Sequence, residues 1–141
     1  MASIKTSDAA LSKMAEGHPD EPITMLNLLK YRPTAAMGFG VDGMSGQDAY
    51  RVYGKKFADL NPRFGGQPVW MGQANNTIIG DEEWDVVILV HYPTRKQFVD
   101  MMADPDYRAI APIRAAALED SRLVEMRELL NNPPPSTTSK T

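Results

Sequence analysis

No cysteine occurs anywhere in the 141 residues. Disulfides, thiolate metal sites, iron–sulfur clusters and cysteine nucleophiles are therefore excluded. Histidine is scarce too: His18 and His91 are the only two. Neither belongs to an H-x-x-x-H spacing or a matched carboxylate cluster, so no metal site and no cofactor are expected. Two histidines also leave little from which to build a Ser-His-Asp arrangement. No apolar run approaches the ~20 residues of a membrane span. The opening segment, MASIKTSDAALSKMAEG, lacks the apolar centre of a secretory signal, so a cytoplasmic protein is expected. Without such a signal, the sequon Asn75-Asn76-Thr77 is read as chance. Charge of one sign is lacking as well. Fifteen basic residues against 18 acidic ones give a net charge of −3. That balance argues against a nucleic-acid or anionic-membrane partner.

What is present is enough for one domain, since domains commonly run ~100–150 residues. The chain is organised around Trp84–Tyr92, WDVVILVHY. Val86 to Val90 are unbroken apolar residues rich in β-branching, bracketed by Gly80-Asp81 and Pro93-Thr94. This reads as a central strand covered on both faces. Pro22 and Pro33 bracket a second buried strand, ITMLNLLKYR. Its alternation places Ile23, Met25, Asn27, Leu29 and Tyr31 on one face and Leu26 and Leu28 on the other. Ahead of it, residues 1–20 form an extension. There Ser7 caps a short helix over Asp8–Glu16, and Gly17 ends it.

Residues 32–46 are a long glycine-rich loop, a length typical of lids. The loop contains Gly38-Phe39-Gly40-Val41-Asp42-Gly43, a literal G-x-G-x-x-G. The dinucleotide reading fails because the strand ends well before the first glycine and no helix opens directly on the third. From Ser45 or Gly46 to Leu60 a helix follows. Tyr50, Tyr53, Phe57 and Leu60 recur on one face, and Asn61-Pro62 stops it. Residues 67–79 read as a bent strand with Gly72 as bulge or kink. Thr94 caps a helix with Phe98, Met101 and Met102 inward. Asp104-Pro105 breaks it and opens a second segment from Asp106 to Leu118. That segment carries Tyr107, Ile110, Arg114 and Ala117 on one face, and Pro112 is expected to kink or split it. Ser121–Leu129 reads as a last strand. Residues 21–130 thus form the domain, and residues 131–141, NNPPPSTTSKT, have the composition of a flexible tail.

The order β-α-β-β-α-β, with an extra helix in front, is the split βαβ, ferredoxin-like α+β arrangement with an antiparallel four-stranded sheet. Right-handed crossovers place the first and third strands side by side in its middle. Helices on one side only leave the other sheet face bare, so a homodimer through the open face is expected. Ile23, Met25, Leu29 and Tyr31 are candidates for that face, although parity alone does not say which face meets the helices.

Taken together, ITMLNLLKYR, the Tyr50/Tyr53 helix, WDVVILVHYPTRKQF, ADPDY and the Arg114-Ala-Ala-Ala run resemble the family known as domain of unknown function 1330, over roughly residues 22–127. The resemblance implies a ferredoxin-like protomer that pairs into a dimeric α+β barrel. The wider superfamily includes cofactor-free monooxygenases, muconolactone-type isomerases, polyketide cyclases and haem-binding enzymes. This chain departs from the family at Met101-Met102, where relatives tend to carry an aromatic, so the shape of a pocket is not carried over.

Several residues could carry chemistry. Asn27 is an amide amid apolar neighbours in a central strand; it either orients a ligand carbonyl or an oxyanion, or is satisfied by the protein. Arg114 shares a face with Tyr107 and Ile110. It either pairs with Asp104, Asp106 or Asp120, or receives a substrate carboxylate or enolate. His91, at a strand end, is a candidate general base or simply half-exposed. Tyr50, Tyr53, Tyr107, Trp70 and Trp84 supply aromatic walls, for the core or for a ligand. Arg95 follows the Pro93 turn, near any mouth the glycine loop would cover, or else is solvated. The expected function is a cofactor-independent enzyme, an isomerase, cyclase, lyase or monooxygenase, acting on a small apolar carbonyl or phenolic compound. Its catalytic candidates are Asn27, His91 and Arg114, and its substrate-binding candidates are Tyr50, Tyr53, Trp84, Arg95 and Tyr107. The alternative is a non-catalytic dimeric ligand-binding or structural module.

Overall fold

The computed structural model describes residues 6–135. The first five residues and the last six, which include the end of the expected tail, lie outside the described residues. The elements run α1 (Asp8–Ala15), β1 (Ile23–Tyr31), α2 (Gly46–Leu60), a 3-10 turn (Asn61–Phe64), β2 (Gln67–Gln73), β3 (Val86–Tyr92), α3 (Arg95–Ala103), α4 (Pro105–Ala117) and β4 (Leu118–Met126). Side-chain caps start the helices. Ser7 accepts from the Ala10 amide, Ser45 from Asp48, Thr94 from Gln97 and Asp104 from Asp106. Each satisfies a backbone donor that the first helical turn cannot.

The four strands form one antiparallel sheet in the order β2-β3-β1-β4, open at both edges. The first and third strands lie in the middle, as the crossover rule requires. Register fixes the faces. Met25 opposes Val90, Asn27 opposes Ile88, and Leu123 of β4 opposes Asn27 from the other side. Ile23 and Leu29 are 1% and 0% exposed, packed with Val90, Tyr92, Phe98 and Met101 in the core beneath the helices. Each such side chain contributes about 1.5–3 kcal/mol by leaving water.

Ile23, Met25, Leu29 and Tyr31 therefore do not supply the bare face. The face turned from the helices carries Leu26 and Leu28, opposed by Leu89 and Val87. Val124, Met126 and Trp70 extend it at the edges and stay 42%, 42% and 54% exposed. Alternation identified the two faces; helix placement, a tertiary matter, decided between them.

Other expectations shift in detail. The second strand stops at Gln73, before the Asn75–Asp81 loop, and the last strand begins at Leu118 rather than Ser121. Pro112 sits inside α4 without splitting it. Its side chain is exposed. The glycine loop is anchored to the domain. Its ends are pinned by Arg32 N–H to Ala117 O (2.9 Å), Ala36 N–H to Ala116 O (2.9 Å) and Gly46 N–H to Arg32 O (3.0 Å). Ala35 and Val41 are buried in the core. Gly46 is required there, because a Cβ would strike the carbonyls of Arg32 and Ala117.

Candidate functional site

The sheet and the helices do not close on each other completely. A cavity of about 240 Å³ remains between them. It is larger than the ~150 Å³ apolar cavity that is known to admit benzene. Its floor is Met25, Asn27, Ile88, Val90 and Tyr92 on the central strands, with Met71 and Leu123 on the edges. Its roof is Tyr50, Tyr53 and Phe57 from α2, Asn61 from the turn that follows, Phe98, Met101 and Met102 from α3, and Tyr107 and Arg114 from α4. The i, i+3, i+7 spacing of Tyr50, Tyr53 and Phe57 lays one aromatic ladder along α2. Ring centroids step 5.2 and 5.6 Å, and Phe57 meets Tyr107 edge-on at 6.4 Å.

Polar groups interrupt this surface at three places. At one end, Arg114 in the last turn of α4 stands beside Tyr50, where its charge favours the ionised phenol against the effect of burial. A cation suits that position, where the helix presents its negative end. Asp104 and Asp106 pair with Arg63, and Asp120 pairs with Arg122. In the middle, the Tyr53 and Tyr107 hydroxyls are 3.2 Å apart, and Asn27 Nδ2 donates to Met25 O and Ile88 O at 3.3 and 3.4 Å. Bonds of that length hold the Asn27 amide loosely. At the far end, Asn61 is 1% exposed, yet among the described residues neither its Nδ2 nor its Oδ1 has a hydrogen-bond partner.

Burial sets the protonation of the tyrosines. It pushes the Tyr53 phenol well above its ordinary range, and the neighbouring Tyr107 and Tyr50 add to the effect. Burial also raises Tyr50, with Arg114 opposing. Both remain neutral hydrogen-bond donors at physiological pH and are poor bases.

Five of the eight candidate residues are thus brought together: Asn27, Tyr50, Tyr53, Tyr107 and Arg114. Three are not. His91 alternates with Val90 and Tyr92, so it points to the open face, where Nδ1 lies 3.3 Å from Thr24 Oγ1. Trp84 precedes β3 and packs under the Arg122 guanidinium, 5.1 Å from ring to Cζ. Arg95 is buried in a structural cluster. It pairs with Glu21 at 2.9 Å and Glu125 at 2.6 Å, and it donates to His18 O at 2.6 Å. The partners of Arg95 are far off in sequence, which hid its role as the clamp on the segment after α1. Sequence reasoning missed Asn61 altogether, because Asn-Pro at a helix end reads as a stop signal. Among the described residues, no group of three or more His, Asp or Glu could hold a metal ion, and no helix is long and apolar enough to cross a membrane.

Solved structures share this architecture. The methylated RPA0582 protein is 36% identical, with a TM-score of 0.85 over 94% of this chain and 98% of that one. RPA0582 from Rhodopseudomonas palustris, a protein of unknown function, is 37% identical, with a TM-score of 0.85 over 93% and 100%. A dimeric protein of unknown function with a ferredoxin-like fold, from Bacteroides fragilis NCTC 9343, is 12% identical, with a TM-score of 0.52 over 79% and 100%. No curated protein matches the chain. A family profile does match, over residues 42–127, which takes in the aromatic ladder, the central strand β3 and Arg114. The chain belongs to the family described as Domain of unknown function (DUF1330).

Proposed function

We propose that the cavity binds a small, largely apolar molecule through a phenolic or enolic oxygen, and that it favours the anionic form of that oxygen. The observation that carries this reading is the kind of polar group that the cavity offers. Arg114 is a fixed cation, Tyr50 and Tyr53 are neutral donors, and Asn27 is a loosely held amide. In a water-poor, apolar enclosure such groups act on an anionic oxygen far more strongly than in water. Enolisation-type chemistry, an isomerisation or a cyclisation, fits these donors. A water molecule or a basic group of the substrate would take the proton from the carbon beside the carbonyl, and the donors would stabilise the charge that develops on the carbonyl oxygen.

The bound ionisation of 4-nitrophenol, followed by its visible absorbance, tests this. The ionisation should move to lower pH in the wild-type protein, and Arg114→Met should abolish most of that movement. An unmoved ionisation on binding would refute the oxyanion role.

A second reading, binding without turnover, is favoured by one specific finding. No carboxylate or imidazole lines the cavity among the described residues, and His91 faces away from it. Exchange of the methyl hydrogens of acetophenone in heavy water separates the two. Catalysed exchange that Arg114→Met removes supports an enzyme; exchange at the uncatalysed rate supports a binding module.

A homodimer belongs to the same proposal. Leu26, Leu28, Val87, Leu89 and Trp70 form a continuous apolar face that none of the helices among the described residues covers. A second copy would bury it, closing two open sheets into a barrel. The dimeric state of the Bacteroides fragilis protein with the same fold supports this pairing.

A further inference from the structure

We propose that Asn61 is a specificity-determining residue of the cavity, and that it reads a ligand edge presenting one donor and one acceptor side by side, as in a carboxamide or a lactam. The proposal rests on the cavity being a small-molecule site. Asn61 caps the C-terminus of α2, and its backbone is fully used: its N–H donates to Phe57 O, and its carbonyl accepts from Gly66 N–H at 3.1 Å. The side chain is different. Both ends of the amide are buried and, among the described residues, unpartnered, and the residue lines the cavity wall. A buried amide left that way costs about 1–3 kcal/mol, a penalty that folding normally avoids.

The surrounding loop is shaped to keep the amide there. A Cβ on Gly66 would collide with the Asn61 carboxamide, so glycine leaves the space that the side chain occupies. Gly65 at φ +73° turns the chain back over it. Asn61 stands eleven positions after Tyr50 on α2 and the turn that continues it, about 16 Å along the helix axis. It therefore forms a subsite separate from the Arg114–Tyr50 end. An amide needs an acceptor for Nδ2 and a donor for Oδ1. A carboxylate offers acceptors only, and a ketone likewise; a primary amide or a lactam offers both in one plane.

The test compares benzamide with its near-isostere acetophenone by calorimetry, on the wild-type protein and on Asn61→Leu. Wild type should bind benzamide about tenfold or more tightly than acetophenone, and Asn61→Leu should bind the two alike. The free variant should melt no lower than wild type, because an unpartnered amide has been replaced by an apolar group of similar shape. Equal wild-type affinities for both compounds would overturn the role of Asn61 while leaving the cavity a binding site. A preference surviving in Asn61→Leu, or a variant that melts far lower or fails to fold, would also overturn it, marking the amide as structural. Failure of both compounds to bind at millimolar concentration would remove the cavity reading and this inference together.

Discussion

The hydroxyls of Tyr53 and Tyr107 lie 3.2 Å apart across the interface of α2 and α4, inside the cavity wall. This contact joins two of the three helices that roof the site. Replacing Tyr53 with Phe removes it without emptying the space. We expect a loss of about 1 kcal/mol in stability, and a double-mutant cycle with Tyr107→Phe should return a coupling of similar size. Denaturant titration of the four proteins measures it; strict additivity would mean that the hydroxyls do not interact.

Buried phenols predict a particular alkaline behaviour. Tyr31, Tyr50, Tyr53 and Tyr92 are all raised above the ordinary value of 10.0, in each case chiefly by burial. Above that value the unfolded chain sheds these protons while the folded chain keeps them, so stability is complete below about pH 10 and falls as pH rises further. Absorbance at 295 nm should therefore show incomplete ionisation of the five tyrosines until the protein unfolds, and then a cooperative rise. Full, non-cooperative ionisation near pH 10 in the folded protein would contradict the buried ladder.

Arg95 holds the segment that follows α1. Besides its ion pairs with Glu21 and Glu125, its backbone N–H donates to Glu21 O at 2.7 Å, and the Lys96 N–H donates to Pro19 O at 2.9 Å. Its guanidinium also lies against Gly17, where a Cβ would come within 2.9 Å. Arg95→Met should cost about 2–3 kcal/mol by stranding two partly buried carboxylates. Hydrogen exchange should show residues 8–21 opening before the sheet does. Unchanged protection in that segment would deny the clamp.

The open face makes a prediction about assembly. Leu26→Glu and Leu89→Glu place a charge on opposed residues of the central strands, away from the cavity. Light scattering should show wild type as a dimer and the variants as monomers with near-native circular dichroism. A wild-type monomer at micromolar concentration would refute the pairing.

Much of this was legible in the sequence, for identifiable reasons. The α2 ladder was visible because Tyr50, Tyr53 and Phe57 recur at helical spacing, and the two central strands because their apolar runs sit between turn residues. Asn27 stood out as a polar residue in an apolar strand, and Arg114 as a cation on an aromatic helix face. The rest depended on contacts between distant segments. Strand parity placed His91 opposite Tyr92 in facing, but could not say which of the two met the helices. Arg95 finds its anions at Glu21 and Glu125, separations that no local pattern reports. Asn61 is buried by Gly66 folding back over it, and a helix-stop dipeptide carries no sign of that.

The central claim is that the space between sheet and helices receives a small molecule. Crystals soaked with 4-bromophenol test it most directly, through the anomalous signal of bromine. A peak is expected between β3 and α2, in contact with Ile88 and Phe57, with the phenolic oxygen within hydrogen-bond distance of Arg114 or Tyr50. A cavity that stays closed to the compound, with bromine found only on the outer surface, would contradict it.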